Sequence, residues 1–162
     1  MSKSDIIIKL NRLRQIHKRF PELAAIEAVN FSKERFVAKN WLDRSPNRWQ
    51  PRKNPNKPGS LMVGKGSGKL KKSVRKLKTT RNSVLIGTNF SYAQIHNEGG
   101  DIKKTVTIKG HIRKRNGREE RVRPHIRQMN INMPKRQFIG ESAILLRRIE
   151  RMLDKQIKNA LH

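Results

Sequence analysis

The sequence predicts an α+β fold from three observations: apolar residues at helical spacing open and close the chain, short β-patterned runs fill its middle, and turn residues separate the two regimes. The expected architecture is N-terminal helices, a small mainly antiparallel β-sheet with a short helix and a protruding hairpin, and a C-terminal amphipathic helix. One domain over 1–162 divides into a helical part, 1–42, a Pro/Gly-rich basic arm, 43–68, a sheet region, 69–139, and the final helix, 140–162.

The first helix rests on Ile6, Leu10, Leu13, Ile16 and Phe20, spaced by threes and fours, with Ser4-Asp5 at its start. Phe20-Pro21 should end it, because proline disfavours helix in the residue before it. Pro21 then opens a second helix to Leu42, with Leu23, Ile26, Phe36, Val37 and Trp41 as its apolar positions and Asn30-Phe31-Ser32 as a weak point. From Asp43 to Gly68 four prolines and four glycines predict a long loop or arm, with Trp49 as its one large apolar anchor. Leu70–Lys78 reads as a basic strand, and Val84–Thr88 as a short buried one. Phe90–Glu98 reads as a short helix stopped by Gly99-Gly100, and Thr105–Lys109 as a two-sided strand. Asn116-Gly117 is a strong hairpin signal, pairing His111–Arg115 with Arg118–Arg123 in arms so charged that the hairpin should project. After Gly140-Glu141-Ser142, Leu145, Ile149, Met152, Leu153, Ile157 and Leu161 form one apolar stripe opposite Arg147, Arg148, Arg151 and Lys155.

The 162 residues include 39 Lys and Arg against 12 Asp and Glu, a net charge of +27. Solubility needs a net charge of only about 2–8 in a small domain. The excess therefore points to an acidic partner: nucleic acid, an acidic protein surface or an anionic membrane. Hydrophobic residues make up 34% and aromatics 5%, a lean core for a subunit that stands alone, so burial against neighbouring copies is expected. There is no cysteine, hence neither disulfide nor thiolate metal site. No apolar run approaches the roughly 20 residues that span a bilayer. Ile6-Ile7-Ile8 is too short for a signal-peptide core, so action inside a cell and away from membranes is expected.

No catalytic pattern survives inspection. Gly64–Leu70 superficially resembles a phosphate-binding loop, but only three residues separate Gly64 from Gly68, and Leu70 stands where a magnesium-binding hydroxyl is needed. The five histidines have no second ligand at metal-site spacing. His96 and Glu98, two apart on a helix, face different ways. Glu119-Glu120 fits cross-strand pairing with Lys or Arg better than acid–base work, and no serine sits in a nucleophile elbow. The expectation is a protein without catalytic, metal or cofactor residues.

The charge is uneven. No acid lies between Arg44 and Asn97, a stretch holding Lys69, Lys71, Lys72, Arg75 and Lys76, and a second cluster includes Arg113, Lys114, Arg115 and Arg118. Such density suits phosphate backbones. Both clusters lack aromatic stacking platforms apart from Trp49, which argues against base-specific reading.

Four short motifs occur in order: Trp49-Gln50-Pro51; Gly68-Lys69-Leu70-Lys71-Lys72-Ser73-Val74; Val84–Thr88 running into Tyr92-Ala93-Gln94-Ile95-His96-Asn97-Glu98-Gly99-Gly100; and Met133-Pro134-Lys135-Arg136-Gln137-Phe138-Ile139-Gly140. Together they resemble the phage virion morphogenesis, or tail-completion, family, related to head–tail joining neck proteins. Glu98 stands where that family usually has an aromatic, and Gln137 where it has proline. The resemblance implies a structural virion protein of the neck or tail, assembled in the host bacterial cytoplasm as a homo-oligomeric ring. Its implied partners are tail-tube, terminator or head-connector proteins and duplex DNA passing the neck. Trp49, Tyr92, His96, Gly99, Pro134, Arg136 and Phe138 are then fold-specifying and interface residues. A basic nucleic-acid-binding protein of nucleoid or ribosomal type is the alternative that charge alone favours, though no recognition motif is readable.

Overall fold

The computed structural model describes residues 2–52, 54, 56, 59–63 and 67–162. The fold is α+β, with a long helix first and an amphipathic helix last. Its β-structure is antiparallel throughout, but it is divided among four two-stranded ladders rather than gathered into one sheet.

Helix α1 spans Lys3–Ala38, so the two expected N-terminal helices are one. Pro21 sits inside it, where its missing N–H and ring cost about 3 kcal/mol. Burial of Pro21, Ala25, Phe31, Ser32 and Phe36 along the following turns holds the helix together. Asn30–Ser32, expected to interrupt it, instead plants Phe31 and Ser32 in the interior. The cap is Ser2, not Ser4: Ser2 Oγ accepts from Ser4 N while Asp5 Oδ2 accepts from Ser2 N at 2.8 Å. The helix stops at Ala38, with Lys39 in the left-handed region at φ 54°.

Trp41 therefore lies on a strand, not on a helix. β1 (Asn40–Leu42) pairs with β2 (Pro46–Arg48), so the expected arm begins with a small ladder. Its Lys53, Pro55, Lys57, Pro58 and Gly64–Gly66 lie outside the described residues. Leu70–Lys78, expected as one strand, is a turn of helix, α2 (Lys69–Ser73), followed by β3 (Arg75–Thr79). Gly68 at φ 56° starts the turn, and it places Leu70 and Val74, four apart, into the core together. β3 pairs with β4 (Val84–Gly87), whose Leu85 is 57% exposed, so this strand is covered on one face only. α3 (Ala93–Glu98) is the expected short helix without its first turn.

β5 (Gly100–Ile108) pairs residue by residue with β8 (His125–Met133), a strand the sequence reading did not anticipate. Beyond Gly110 and Pro124 the ribbon resumes as the expected hairpin, β6 (His111–Arg115) with β7 (Arg118–Val122). Its Asn116 and Gly117 both have positive φ, as a type I′ turn demands. Fourteen rungs at about 3.3 Å make a ribbon about 45 Å long, and among the described residues no other element packs against it to a comparable extent.

α4 (Ala143–Leu161) runs back along α1 from an N-cap at Ser142, whose Oγ accepts from Leu145 N and donates to Leu42 O at 2.7 Å. The core gathers Phe36, Trp49, Leu70, Val74, Ala93 and Phe138. The accessible surface is 12774 Å², against about 8,300 Å² for a compact monomer of this mass.

Candidate functional site

The four motifs converge on one structural feature, the strip Arg136–Ile139. It belongs to no helix or strand, so its backbone groups need partners from elsewhere. Arg136 N donates to His96 O at 2.8 Å. Trp49 Nε1 donates to Gln137 O at 2.9 Å. Asn97 Oδ1 accepts from both Phe138 N and Ile139 N, at 2.9 and 3.0 Å, and its Nδ2 donates to Ile139 O at 3.0 Å. Ser32 Oγ donates to Phe138 O at 2.6 Å. One extended segment thereby binds α1, the arm anchor and α3 together.

Phe138 is 1% exposed, 4.9 Å from the Phe36 ring, and Phe36 meets Trp49 edge-on at 5.6 Å. Trp49 thus lies in the core where the arm begins, and Phe138 packs there with Phe36, Leu70, Val74 and Ala93. Gly99 has φ 77°, and a Cβ there would stand 2.8 Å from Lys135 N, so glycine is required twice over. That contact lets α3 end against the backbone just after Pro134.

Arg136 braces the entry to the arm. Its Nε and Nη2 donate to Gln50 O at 3.1 and 3.0 Å, and Nη2 reaches Pro51 O at 3.4 Å. Among the described residues no carboxylate pairs with it. Burial first, and the Arg52 guanidinium second, lower its pKa from the ordinary arginine value. His96 shares a face with Tyr92, ring centroids 6.0 Å apart and edge-on. Its pKa is lowered from 6.5 by burial and then by Arg136, so the imidazole favours its neutral form. Its Nδ1 is buried without a protein partner among the described residues. Tyr92, His96, Arg136, Gln50, Leu61 and Met133 line one groove beside the arm.

The two basic clusters lie on different elements. Lys69 and Lys72, three apart on α2, share a face, and Lys71 is partly buried. Arg75 and Lys76 point to opposite sides of β3. Lys76 turns toward α1, where its Nζ meets Glu22 Oε2 at 2.5 Å. On the hairpin, Arg113 pairs with Glu120 at 2.8 Å and Lys114 with Glu119 at 3.8 Å, across the strands as expected. Arg115 and Arg118 face each other beside the turn, and among the described residues no acid pairs with either, so the tip carries two opposed positive charges.

Asn97 and Ser32, central to the clasp, were not singled out from sequence. Asn97 had a signal in its place, next to His96 just before the paired glycines; Ser32 had none. Among the described residues no group of three or more His, Cys, Asp or Glu could hold a metal, and no helix is long and apolar enough to cross a membrane. In the loop that resembled a phosphate cradle, Gly64, Lys65 and Gly66 lie outside the described residues, and Gly68 caps α2.

The family model of the phage virion morphogenesis family matches residues 22–158. No curated protein and no solved structure matches the chain.

Proposed function

This chain belongs to the phage virion morphogenesis family, and from that membership we propose that it is a non-enzymatic ring subunit that completes the tail or joins it to the head. The ribbon Gly100–Met133 carries the proposal. An isolated two-stranded hairpin is marginal in water, and among the described residues no helix or strand packs extensively on this one. One face carries Ile102, Val106, Ile108, Met129 and Ile131, in register across β5 and β8. A neighbouring copy lying against that face completes its burial, and the large accessible surface of the single chain fits such an assembly. The tip residues Arg115 and Arg118, with Lys69 and Lys72 on the body, then meet DNA threading the neck or acidic neighbouring proteins.

The test is electron microscopy of particles made with a chain carrying Lys69→Glu, Lys72→Glu, Arg115→Glu and Arg118→Glu, spots free of the Lys76–Glu22 pair. Filled heads and separate tails are expected. Normal virions would show that these charges serve solubility alone. A purified protein that stays monomeric and binds duplex DNA with a steep salt dependence would favour the nucleic-acid-binding alternative instead.

A further inference from the structure

The family match covers residues 22–158, and the 19 residues of α1 before it, Lys3–Pro21, have a chemistry of their own. α4 covers the second half of α1: Ser142 sits at Leu42, and Arg148 reaches Glu27 and Glu34 at 3.5 and 2.9 Å. Thirteen residues after Arg148 the helix α4 ends. With equal rise along both helices, about 1.5 Å per residue, roughly the first three turns of α1 have nothing against them among the described residues. The apolar seam does not stop there. Ile6, Leu10, Leu13, Ile16 and Phe20 recur at threes and fours, the spacing of an apolar helix face that packs against another helix. Phe20 and Leu13 are partly buried, whereas Leu10 is 52% and Ile6 43% exposed, with Ile7 beside them at 59%.

Charge says what covers it. In the covered half α1 supplies acids and the body supplies bases: Glu22 with Lys76, Glu27 and Glu34 with Arg148. In the uncovered half the signs reverse. Lys3, Lys9, Arg12, Arg14, Lys18 and Arg19 stand against Asp5 alone, and Asp5 is occupied in the capping box. Lys9 and Arg14 border the seam. The same stretch of α1 from a second copy, laid along this seam, would set bases against bases. We infer that the first half of α1 is a preformed docking helix for an acidic partner protein, which lays a helix with apolar residues at threes and fours and flanking Glu or Asp along Ile6–Phe20. The capping box keeps this helix ordered before binding, which lowers the ordering cost of association. This inference is independent of where in the virion the protein acts.

The test uses the full chain and a labelled synthetic peptide of about 20 residues, or about 30 Å of helix, with leucines at heptad spacing flanked by glutamates. A second peptide of the same composition has its leucines scrambled. Fluorescence anisotropy should show the patterned peptide binding about tenfold more tightly than the scrambled one, and Ile6→Ser/Leu10→Ser should remove that difference. Both positions are exposed, so the thermal midpoint of the double variant should match the parent. Hydrogen exchange should show protection within residues 3–20 on binding. Equal affinity for both peptides, unchanged by the double substitution, would reduce the interaction to bulk charge and overturn the inference. So would concentration-dependent dimerisation lost in the double variant, which assigns the seam to a second copy. Protection of residues 3–20 by anionic phosphatidylglycerol vesicles but not by the patterned peptide would overturn it in favour of a lipid surface.

Discussion

The strip Arg136–Ile139 and the ribbon Gly100–Met133 adjoin in sequence, and they satisfy their backbones in opposite ways. The ribbon closes every rung on itself, so each half needs only its partner strand. The strip has no strand partner and draws its hydrogen bonds from Ser32, Trp49, His96 and Asn97, residues up to 106 positions away. The first arrangement can move as a unit without unfolding anything else. The second cannot be disturbed without loosening three elements together. Stability should therefore live in the strip and reach outward in the ribbon.

The largest effect that separates the two is Phe138→Ala. Truncating a fully buried aromatic should cost about 3–5 kcal/mol, read as a fall in the denaturant midpoint. Its counterpart on the ribbon, Ile126→Ala, removes a side chain 72% exposed and should stay within about 0.5 kcal/mol. Equal losses would mean that ribbon and body unfold as one.

Asn97→Ala comes next. It strips partners from Phe138 N, Ile139 N and Ile139 O at once. Each unsatisfied buried group costs about 1–3 kcal/mol, so the loss should exceed that of Ser32→Ala, which orphans one carbonyl. Comparing the two variants by thermal unfolding ranks the clasp's threads.

A pH effect follows from His96, whose folded-state pKa lies below 6.5. As pH falls through 6.5 the unfolded chain takes up the proton first, so stability declines. The decline is complete once pH passes below the lowered folded-state value, and above 6.5 the contribution is fully present. His96→Gln should flatten this part of the stability profile, while a slope that persists would assign it to another group.

Much of this contrast was legible in the sequence, and the gaps have physical causes. Trp49, Phe138 and Gly99 carried strong signals, because a lone tryptophan in a polar arm, a phenylalanine after Pro-x-Arg and paired glycines each have few alternatives. Pro21 misled: its local penalty was real, but the packing of Ala25 and Phe31, invisible in a local window, outweighs it. Lys71 and Lys72 masked a helical turn whose sense lies in Leu70 and Val74. β8 escaped notice because Ile126 stands on the face opposite Met129, Ile131 and Met133, which breaks its alternation. Asn97 looked like a helix-end residue, and only the fold reveals that the strip comes to it.

The smallest stability effect should accompany the largest loss of assembly. Arg115 and Arg118 oppose each other across the hairpin's last rung, and like charges so placed repel. Arg118→Glu turns that repulsion into an attraction and should leave the thermal midpoint unchanged or slightly raised, by under about 1 kcal/mol. If the tip works by contact with an acidic surface or with phosphate, the same substitution should still impair head–tail joining, counted as separate heads and tails by microscopy. Glu120→Ala makes the complementary change. It frees Arg113 from its partner at 2.8 Å, adds net positive charge to the hairpin and should leave joining intact. A hairpin in which both substitutions spare joining owes its charge to something other than contact. One in which Arg118→Glu blocks joining while the midpoint holds would show that the ribbon's tip acts on a partner and not on the fold.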